Sequence, residues 1–530
     1  HRDLHSFPTR RSSDLAVWGF LEGLKGWEKV PWAQWAVPLL TWGLFTALLW
    51  GSFFFFSILI RAEWVDRERF TFPLVQLPLE VMEEPEAGHL LPRFFHSKPM
   101  WWTVGLLTVY HTLIGLNRLY PQIPAPPHTY RWVYGLPGIW SAFQDWALTI
   151  FPLVIGVSYL INNEVLFSLW FMFVLYRLVR FGMLFYGMTI AGVAVGYCDS
   201  ALSSYTSAGA SLVIVVWAFW VGRDHFAKVF YGVFHLQPHL EEPESVSYRW
   251  ATLGYLITLL GMIVWLMVAG VNLWMAFATV VVAQIAYIAL AWIASQAGVL
   301  FLQGPFTGSE ILTNLLGSKV WDPRSIVVPS IVENVYGVDL REYMLPQLVG
   351  AQKLADSLRA NRKALLWAMV AAVIAGTIGS GWMAVAMPYH SGGGTALFNW
   401  WTYVEAPQRP LRYAASAITM PTNGNWAVGA GVIGGAIGCW LLLFLRSRLP
   451  WMSLHPAGWI AAGSYPGKVF GFSFFIAWVL KTLILRYGGP TLYRRARPVF
   501  MGLILGDTIN GAIWIIVGFI TKHGYPLLPL

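Results

Sequence analysis

The residues of this chain that could do chemistry are ionisable groups inside long apolar runs, where a charge is costly unless it is paired or faces water. Asp507 and Asn510 lie three residues apart in the run GLILGDTINGAIW, a spacing that puts both on one face of a helix. Lys481, in the preceding apolar run, is a candidate partner for Asp507. These residues suit a buried ion pair or an ion or proton site, and both interpretations stay open.

Thr307 and Glu310 have the spacing of a capping box, in which two side chains satisfy free backbone amides at the start of a helix. The sequence therefore predicts a short helix from about residue 308 to 316, ended by Gly317. A helix of this length rises about 14 Å, roughly half the hydrocarbon depth of a bilayer. The start of a half-helix can also face a substrate or a coupling ion, so both residues are candidate site residues.

Three further ionisable residues are candidates for binding. Arg177 and Arg180 share a helix face by their spacing, and they could hold an anionic group or extend to lipid headgroups. Asp199 precedes the hydroxyl-rich stretch 200–206. Such a cluster could coordinate a cation, although serine and aspartate are also ordinary helix N-caps.

Several kinds of chemistry have no motif in this sequence. A phosphate-binding loop of the G-x-x-x-x-G-K-[ST] type is absent, which argues against ATP-driven pumping by this chain alone. The H-E-x-x-H motif of zinc proteases and the G-x-S-x-G nucleophile elbow are absent too. Cys198 and Cys439 are the only cysteines, too few for a disulfide framework or a thiolate metal site. We therefore expect no catalytic residue, no metal, no cofactor and no enzymatic activity.

The composition is that of an integral membrane protein. Hydrophobic residues make up 57% of the chain and charged residues 12%, whereas globular domains have about 25% charged residues. The net charge of +9 comes from Lys and Arg in short loops between apolar runs, and membrane topology explains it better than a nucleic-acid partner does. We expect a multi-pass protein of the plasma (inner) membrane whose constant partner is the lipid bilayer, with an oligomeric state that the sequence leaves open.

The apolar runs predict an all-α fold, a polytopic transmembrane bundle of about 11–13 spans that includes broken or re-entrant helices. The clear spans lie near residues 34–60, 101–120, 146–161, 164–187, 207–222, 250–270, 273–297, 364–387, 426–446, 468–486 and 499–519. Four stretches mix apolar residues with glycine, proline or hydroxyl residues and are predicted to be broken, namely 197–213, 298–317, 325–350 and 451–467.

The spans fall into two predicted bundles joined by a cytoplasmic linker. Residues 1–15 are polar and rich in Arg and Ser, and we interpret them as a non-native leader derived from adapter sequence. The other predicted segments are, in order, the N-terminal bundle 16–222, its cytoplasmic interfacial segment 61–97, the linker 223–249, the C-terminal bundle 250–530 and its cytoplasmic or re-entrant region 298–363.

Five stretches resemble a bacterial family of polytopic membrane proteins of unknown function, and the resemblance covers most of residues 60–520. They are RERFTFPLVQLPLEVMEE, SYTSAGASLVIVVWAFWVGRDHF, EEPESVSYRWATLG, HPAGWIAAGSYPGKVF and LILRYGGPTLYRRARPVFMGLILGDTING. That family is distantly similar to the oligopeptide transporter superfamily, whose members move peptides or metal chelates with coupling cations. The chain lacks that superfamily's Asn-Pro-Gly type of motif, so the resemblance assigns no binding residue.

The leading hypothesis is a secondary transporter that moves a small polar solute, such as a peptide or a metal chelate, with H⁺ or Na⁺ as the coupling ion. The broken segments would present half-helix ends to the solute, and Asp507 or Glu310 would carry the coupling ion. One alternative is a membrane-embedded enzyme on a lipid-linked substrate, in which Arg177 and Arg180 hold a phosphate and Asp199 or Glu310 is the base. Another is a noncatalytic membrane subunit or scaffold.

Overall fold

A computed structural model describes residues 12–24, 29–85, 88–125, 133–144, 146–188, 198, 200–234, 245–299, 303–338, 343–395 and 401–521 of the chain. Over these ranges the chain forms α-helices with a few short 3-10 and π-helical turns, and it contains no β-strand. The predicted all-α class is therefore confirmed. The α-helices in chain order are α1 (Ser12–Glu22), α2 (Trp32–Arg61), α3 (Pro73–Val81), α4 (Lys98–Leu119), α5 (Pro152–Leu160), α6 (Asn163–Phe185), α7 (Ala201–Val221), α8 (Arg223–Val233), α9 (Tyr248–Val268), α10 (Leu273–Ala297), α11 (Gly308–Leu316), α12 (Pro323–Glu333), α13 (Met344–Ser357), α14 (Arg362–Ser391), α15 (Ala406–Thr419), α16 (Trp426–Arg448), α17 (Pro456–Ala462) and α18 (Tyr465–Thr521).

Eight of the described helices are long and apolar enough to cross a membrane, namely α2, α6, α7, α9, α10, α14, α16 and α18. Several of them expose large apolar side chains outward, among them Ile257 and Leu260 on α9 and Ile374 and Ile378 on α14. A helix that is apolar on its outer as well as its inner face suits a lipid environment better than water. These helices identify a membrane protein.

Helix α18 consists of two helices joined at a kink. Gly489 has φ of 60° and ψ of −165°, values outside the helical region that favour glycine, and Pro490 follows it. The two halves, residues 465–488 and 490–521, contain the predicted spans 468–486 and 499–519. The kink therefore separates two spans that the sequence predicted separately.

The helices of the two predicted bundles pack against each other throughout. Helix α16 packs along α7, α2 packs along α9, and α18 packs against α4, α5 and α6. The contact between α7 and α16 is close because glycines lie at the points where the two backbones meet. A Cβ atom on Gly209 would lie 1.9 Å from the carbonyl oxygen of Val432. A Cβ atom on Gly435 would lie 2.1 Å from the carbonyl oxygen of Thr206. Small residues let helix backbones approach in this way.

Ten of the eleven predicted spans coincide with long helices, α18 accounting for two of them. The prediction for 146–161 is wrong as a full span, because the helix there runs only from Pro152 to Leu160. Extended backbone precedes this helix, and the proline at its first position has no amide hydrogen to extend the helix backwards. Helix α5 is therefore a short element among long ones.

Three of the four stretches predicted to be broken are broken. Region 298–317 contains α11, region 325–350 contains a π-helical turn at Asn334–Val338 between α12 and α13, and region 451–467 contains the short α17. The prediction for 197–213 is wrong from Ala201 onward, because α7 is continuous there. Its serines line one buried face, where a hydroxyl can bond to the helix's own carbonyls without interrupting the helix.

Candidate functional site

The start of α11 is bound by a carboxylate from a different segment, Glu333 at the end of α12. Gly308 N and Ser309 N donate to Glu333 Oε1 over 2.8 Å and 3.1 Å. The Ser309 hydroxyl donates to the other carboxylate oxygen, and the Thr307 hydroxyl also bonds to Glu333. Since the first amides of a helix have no partner within the helix, Glu333 satisfies donors that would otherwise be buried without one.

The short helix predicted over 308–316 is confirmed, and Gly317 follows it with φ of 89°. The capping box predicted for Thr307 and Glu310 is wrong, because the Thr307 side chain makes no bond to the amides of α11. Glu310 instead faces α7, where its Oε1 accepts a hydrogen bond of 3.1 Å from the Ser204 hydroxyl. With Glu333 at the helix start, the capping role is already filled.

Glu310 and Glu333 lie on two short helices that pack on α10 and on each other. Glu310 is fully buried and Glu333 is 4% exposed. Asn314, one turn after Glu310, donates to the Tyr205 hydroxyl of α7 over 3.0 Å. On the α12 side, the Tyr287 hydroxyl donates over 2.7 Å to the carbonyl of Tyr336 in the turn that follows Glu333. The two carboxylates thus lie in a buried polar layer between long helices.

The amino end of α12 is held in place by Asp322. Its Oδ2 accepts from the Ser325 amide over 3.1 Å, and its Oδ1 accepts from the Ser325 hydroxyl over 2.6 Å. Pro323, the first residue of the helix, needs no amide partner. The start of α12 is therefore determined locally, and Glu333 is the last residue of that helix before the π-helical turn.

Glu333 has no cationic partner in the ranges that the structure describes, since no Lys, Arg or His there forms an ion pair with it. Its charge is balanced only by hydrogen-bond donors and by the partial positive charge at the start of α11. A buried carboxylate in this environment changes the local electrostatics strongly when it gains or loses a proton. The hydrogen bonds that Glu333 accepts therefore come from Thr307, Gly308 and Ser309.

Asp507, the other predicted carrier of a coupling ion, lies in a separate cluster against α4 and α5. Its Oδ1 is 2.8 Å from His111 Nε2 on α4, and its Oδ2 accepts from the Leu153 amide over 2.7 Å. Asn510, on the same face of α18, donates to the Thr108 hydroxyl and to the Gly506 carbonyl. Leu153 is in the first turn of α5, so Asp507 caps that helix as Glu333 caps α11.

Lys481 does not pair with Asp507, which corrects the partnership proposed from the sequence. Its ammonium group donates to the carbonyl oxygen of Tyr159 over 2.8 Å and also to that of Ile161. These carbonyls belong to the carboxyl end of α5 and the residue just after it, where a cation is favourable. Lys481 therefore binds the opposite end of α5 from Asp507.

Arg177 and Arg180 are in different environments despite their shared helix. Arg177 is fully buried, its Nη1 donates to the carbonyls of Ala142 and Gln144, and its guanidinium lies over the Phe173 ring. Arg180 is half-buried. Arg177 thus holds the 3-10 turn at Gly138–Phe143 against α6, while its predicted role in anion binding stays a prediction.

Asp199 lies outside the described residues. The alternative interpretation of this stretch, a helix N-cap, applies to Ser200, because its hydroxyl accepts from the Ser203 amide in a capping box at the start of α7. Ser204, from the same hydroxyl-rich stretch, is the residue that bonds to Glu310. The stretch therefore contributes to the buried polar layer through Ser204.

Sequence reasoning did not select Glu333. It lies in SIVVPSIVENVYG, inside a stretch already predicted to be broken, and it is the one carboxylate of that apolar run. An isolated acidic residue in a broken apolar segment is itself a signal. Its partner, the start of α11, lies more than twenty residues away, so no local pattern connects them.

These features define an all-α helical membrane protein with short buried helices set among the long ones. The chain belongs to a family of unknown function (DUF6785), whose family model matches residues 5–529. This confirms the resemblance to a family of unknown function that the sequence showed. No curated protein matches the chain.

Proposed function

We propose that this protein is a secondary transporter of the plasma membrane that moves a small polar solute, such as a peptide or a metal chelate, coupled to an ion. The observation that carries the proposal is Glu333, a buried carboxylate bound to the start of the short helix α11. Secondary transporters use discontinuous helices whose ends face the solute and the coupling ion. Helix α11, whose first turn is buried and which packs on α10, fits that description.

Within this proposal the coupling ion is H⁺. The oxygens of Glu333 already accept hydrogen bonds from Gly308, Ser309 and Thr307, which leaves few free lone pairs for a metal cation. A proton needs only one oxygen, whereas Na⁺ needs several oxygen ligands at once. Protonation would weaken the hold of Glu333 on the start of α11, since charge-assisted hydrogen bonds are about twice as strong as neutral ones. The start of α11 would then be free to bind an anionic or polar group of the solute.

Glu310 acts in the proposal as the second carboxylate of the same layer. It faces α7 through Ser204 and sits one turn or less from the amides that Glu333 holds. The first turn of α11 thus carries one buried carboxylate of its own and binds a second one from α12. Asp507, bound to His111 and the Leu153 amide in its separate cluster, stays the other candidate carrier of the coupling ion.

The alternative of a membrane-embedded enzyme requires a cation and a carboxylate that converge on one accessible cleft. Arg177 is buried and its guanidinium lies against backbone carbonyls of the turn that it supports. This arrangement favours the transporter, because Arg177 has a structural role that needs no phosphate.

The test is uptake into proteoliposomes that contain the purified full chain and a pH-sensitive dye in the lumen. Radiolabelled di- and tripeptides and ferric chelates are offered under an imposed pH gradient, an Na⁺ gradient, or no gradient. We expect one solute class to accumulate under the pH gradient and to carry protons inward. Glu333→Gln should abolish the gradient dependence while the protein stays folded.

Glu164→Gln is the matched control. It removes the charge of a carboxylate that is exposed on the surface of the protein, where it pairs with Arg446. It should transport like the unmodified protein. Uptake that is absent from the whole panel under every gradient, or uptake by Glu333→Gln that still follows the pH gradient, would contradict the proposal.

A further inference from the structure

A second feature of the molecule, separate from the carboxylates of α11 and α12, is an open cleft of about 820 Å³ with charged walls. The walls are formed by α3, by the 3-10 turn Arg93–His96 that precedes α4, by the end of α13 and by the second half of α18. Ligand sites in proteins commonly have volumes of about 300–1,000 Å³. The cleft is therefore large enough for a small molecule or for the headgroup of a lipid.

The cleft lies where apolar helices begin. Ser97 immediately precedes α4, and Arg497 precedes the predicted span 499–519, and both residues line the cleft. One turn into α4, the side chains of Trp101 and Trp102 are 46% and 79% exposed. Tryptophan prefers the membrane–water interface, where its ring lies at the depth of the lipid headgroups. These positions indicate that the cleft opens at headgroup depth.

Two of the opposite charges that line the cleft are paired with each other. Arg497 Nη2 lies 2.8 Å from Glu80 Oε1 and donates over 3.1 Å to Gln76 Oε1, which joins α18 to α3. Two further charged residues line the cleft, Arg93 and Glu83. Both are exposed, and neither forms an ion pair within the described part of the chain. A ligand with one anionic and one cationic group would balance both charges.

Arg93 lies four residues before a second feature that favours anions, the start of α4. Ser97 is the N-cap of this helix of 22 residues, but its side chain makes no capping hydrogen bond. The amino end of a helix carries partial positive charge and attracts phosphate groups. Arginine binds phosphate through two parallel hydrogen bonds. This wall of the cleft therefore favours a phosphate, while Glu83, just after α3, favours a cation.

We propose that this cleft binds a phospholipid whose headgroup carries both a phosphate and a primary ammonium group. The phosphate pairs with Arg93 beside the start of α4, the ammonium group donates to Glu83, and the acyl chains extend along α4 past Trp101 and Trp102. A purely anionic headgroup is disfavoured, because it would meet the negative charge of Glu83. The site is independent of whether the protein transports a solute.

The experiment is native mass spectrometry of the detergent-purified full chain after removal of co-purified lipid. Short-chain phosphatidylethanolamine, phosphatidylcholine and phosphatidylglycerol are offered in equal amounts. Phosphatidylglycerol has no cation, and the ammonium group of phosphatidylcholine has no hydrogen to donate. We expect phosphatidylethanolamine to bind about fivefold more tightly than either, because one hydrogen bond contributes roughly that factor. Equal binding of the three lipids, or a preference for phosphatidylglycerol, overturns the proposal.

Variants locate the site. Glu83→Gln should weaken phosphatidylethanolamine by about fivefold and bring it to the level of phosphatidylglycerol. Glu84→Gln is its matched control, because Glu84 is exposed and adjacent in the chain but does not line the cleft. Arg93→Gln should weaken all three lipids by about fivefold, since each carries the phosphate. Arg249→Gln, at an exposed arginine in the first turn of α9, should leave their binding unchanged.

A soluble competitor distinguishes a lipid from a free headgroup. Glycerophosphoethanolamine has the same phosphate and ammonium groups without acyl chains, and we expect it to displace phosphatidylethanolamine only at much higher concentration. Displacement at equal concentration overturns the assignment of a lipid. A preference for phosphatidylethanolamine that persists in Glu83→Gln overturns the role of Glu83. Size-exclusion chromatography checks that each variant is folded, and the exposed position of Glu83 keeps this test available even if Arg93→Gln fails to fold.

Discussion

Asp507 and Lys481, on the two halves of α18, bind opposite ends of the short helix α5. Asp507 Oδ2 accepts from the Leu153 amide over 2.7 Å, and Lys481 Nζ donates to the Tyr159 carbonyl over 2.8 Å. The amino end of a helix carries partial positive charge and the carboxyl end partial negative charge, so each group meets the opposite sign. A helix of nine residues, too short to be stable alone, is thereby fixed at both ends.

Removal of Lys481 should destabilise the protein. Lys481→Met keeps the length of the side chain but removes the ammonium donor from the carbonyls of Tyr159 and Ile161, and we expect a loss of about 3 kcal/mol in the free energy of unfolding. Thermal unfolding of the detergent-purified protein measures the effect. Lys363→Met, at an exposed lysine in the first turn of α14, should leave the melting temperature unchanged. Equal melting temperatures for the two variants would show that Lys481 does not hold α5.

Two adjacent glycines of α16 should respond in opposite directions to the same substitution. A Cβ atom on Gly435 would lie 2.1 Å from the Thr206 carbonyl, whereas one on Gly434 would meet nothing within 4 Å. Gly435→Ala should therefore separate α7 from α16 and destabilise the protein by about 1–3 kcal/mol. Gly434→Ala should be neutral or stabilising by up to about 1 kcal/mol, because alanine has the higher helix propensity. The measurement is the melting temperature of each variant in the same detergent. If Gly434→Ala lowers the melting temperature as much as Gly435→Ala does, the close contact between α7 and α16 at Gly435 is contradicted.

Two variants of Glu333 should show whether its carboxylate stabilises the protein as a helix cap, apart from any role in proton binding. Glu333→Gln keeps an oxygen that accepts from the amides of Gly308 and Ser309, so the melting temperature should change little. Glu333→Leu leaves these amides buried without an acceptor and should destabilise by about 2–3 kcal/mol. If Leu and Gln give the same melting temperature, Glu333 is not a cap, even if transport is lost in both.

Glu68, which follows the π-helical turn Ala62–Arg67 after α2, should make stability depend on pH. Burial raises the pKa of the Glu68 carboxyl from 4.5 to about 7, and repulsion from Glu63 adds to the shift. The folded protein therefore holds this proton more tightly than the unfolded chain does. The contribution of Glu68 to stability is complete below about pH 4.5 and is lost as the pH rises through about 7.

The measurement for Glu68 is the melting temperature from about pH 5 to about pH 8, for the unmodified protein and for Glu68→Gln. We expect the unmodified protein to lose stability relative to the variant as the pH rises, because the variant has no carboxyl to ionise. Parallel curves for the two proteins would show that Glu68 titrates at an ordinary pKa.

Local sequence was sufficient for most helices and for the short helix α11. Helix α10 runs from Leu273 to Ala297, as predicted, because apolar side chains, an asparagine N-cap and a following glycine all act within a few residues. The same holds for Gly308–Leu316 and the glycine after it. The family membership, too, follows from the sequence alone.

Partners across the fold could not be predicted in this way. The spacing of Thr307 and Glu310 predicted a capping box, and the apolar run around Lys481 suggested a pair with Asp507, yet each side chain found another partner. A capping carboxylate can come from any segment that packs nearby, and a local pattern does not record which one does.

The sequence by itself determined the class of the protein, most of the apolar helices and three of the four stretches where they break, because these depend on hydrophobic periodicity and on residues such as proline and glycine. Only the tertiary structure decided that Glu333 holds the start of α11 and that Asp507 and Lys481 hold the two ends of α5. These bonds join residues far apart in the chain, and the packing of the long helices brings them within reach of each other.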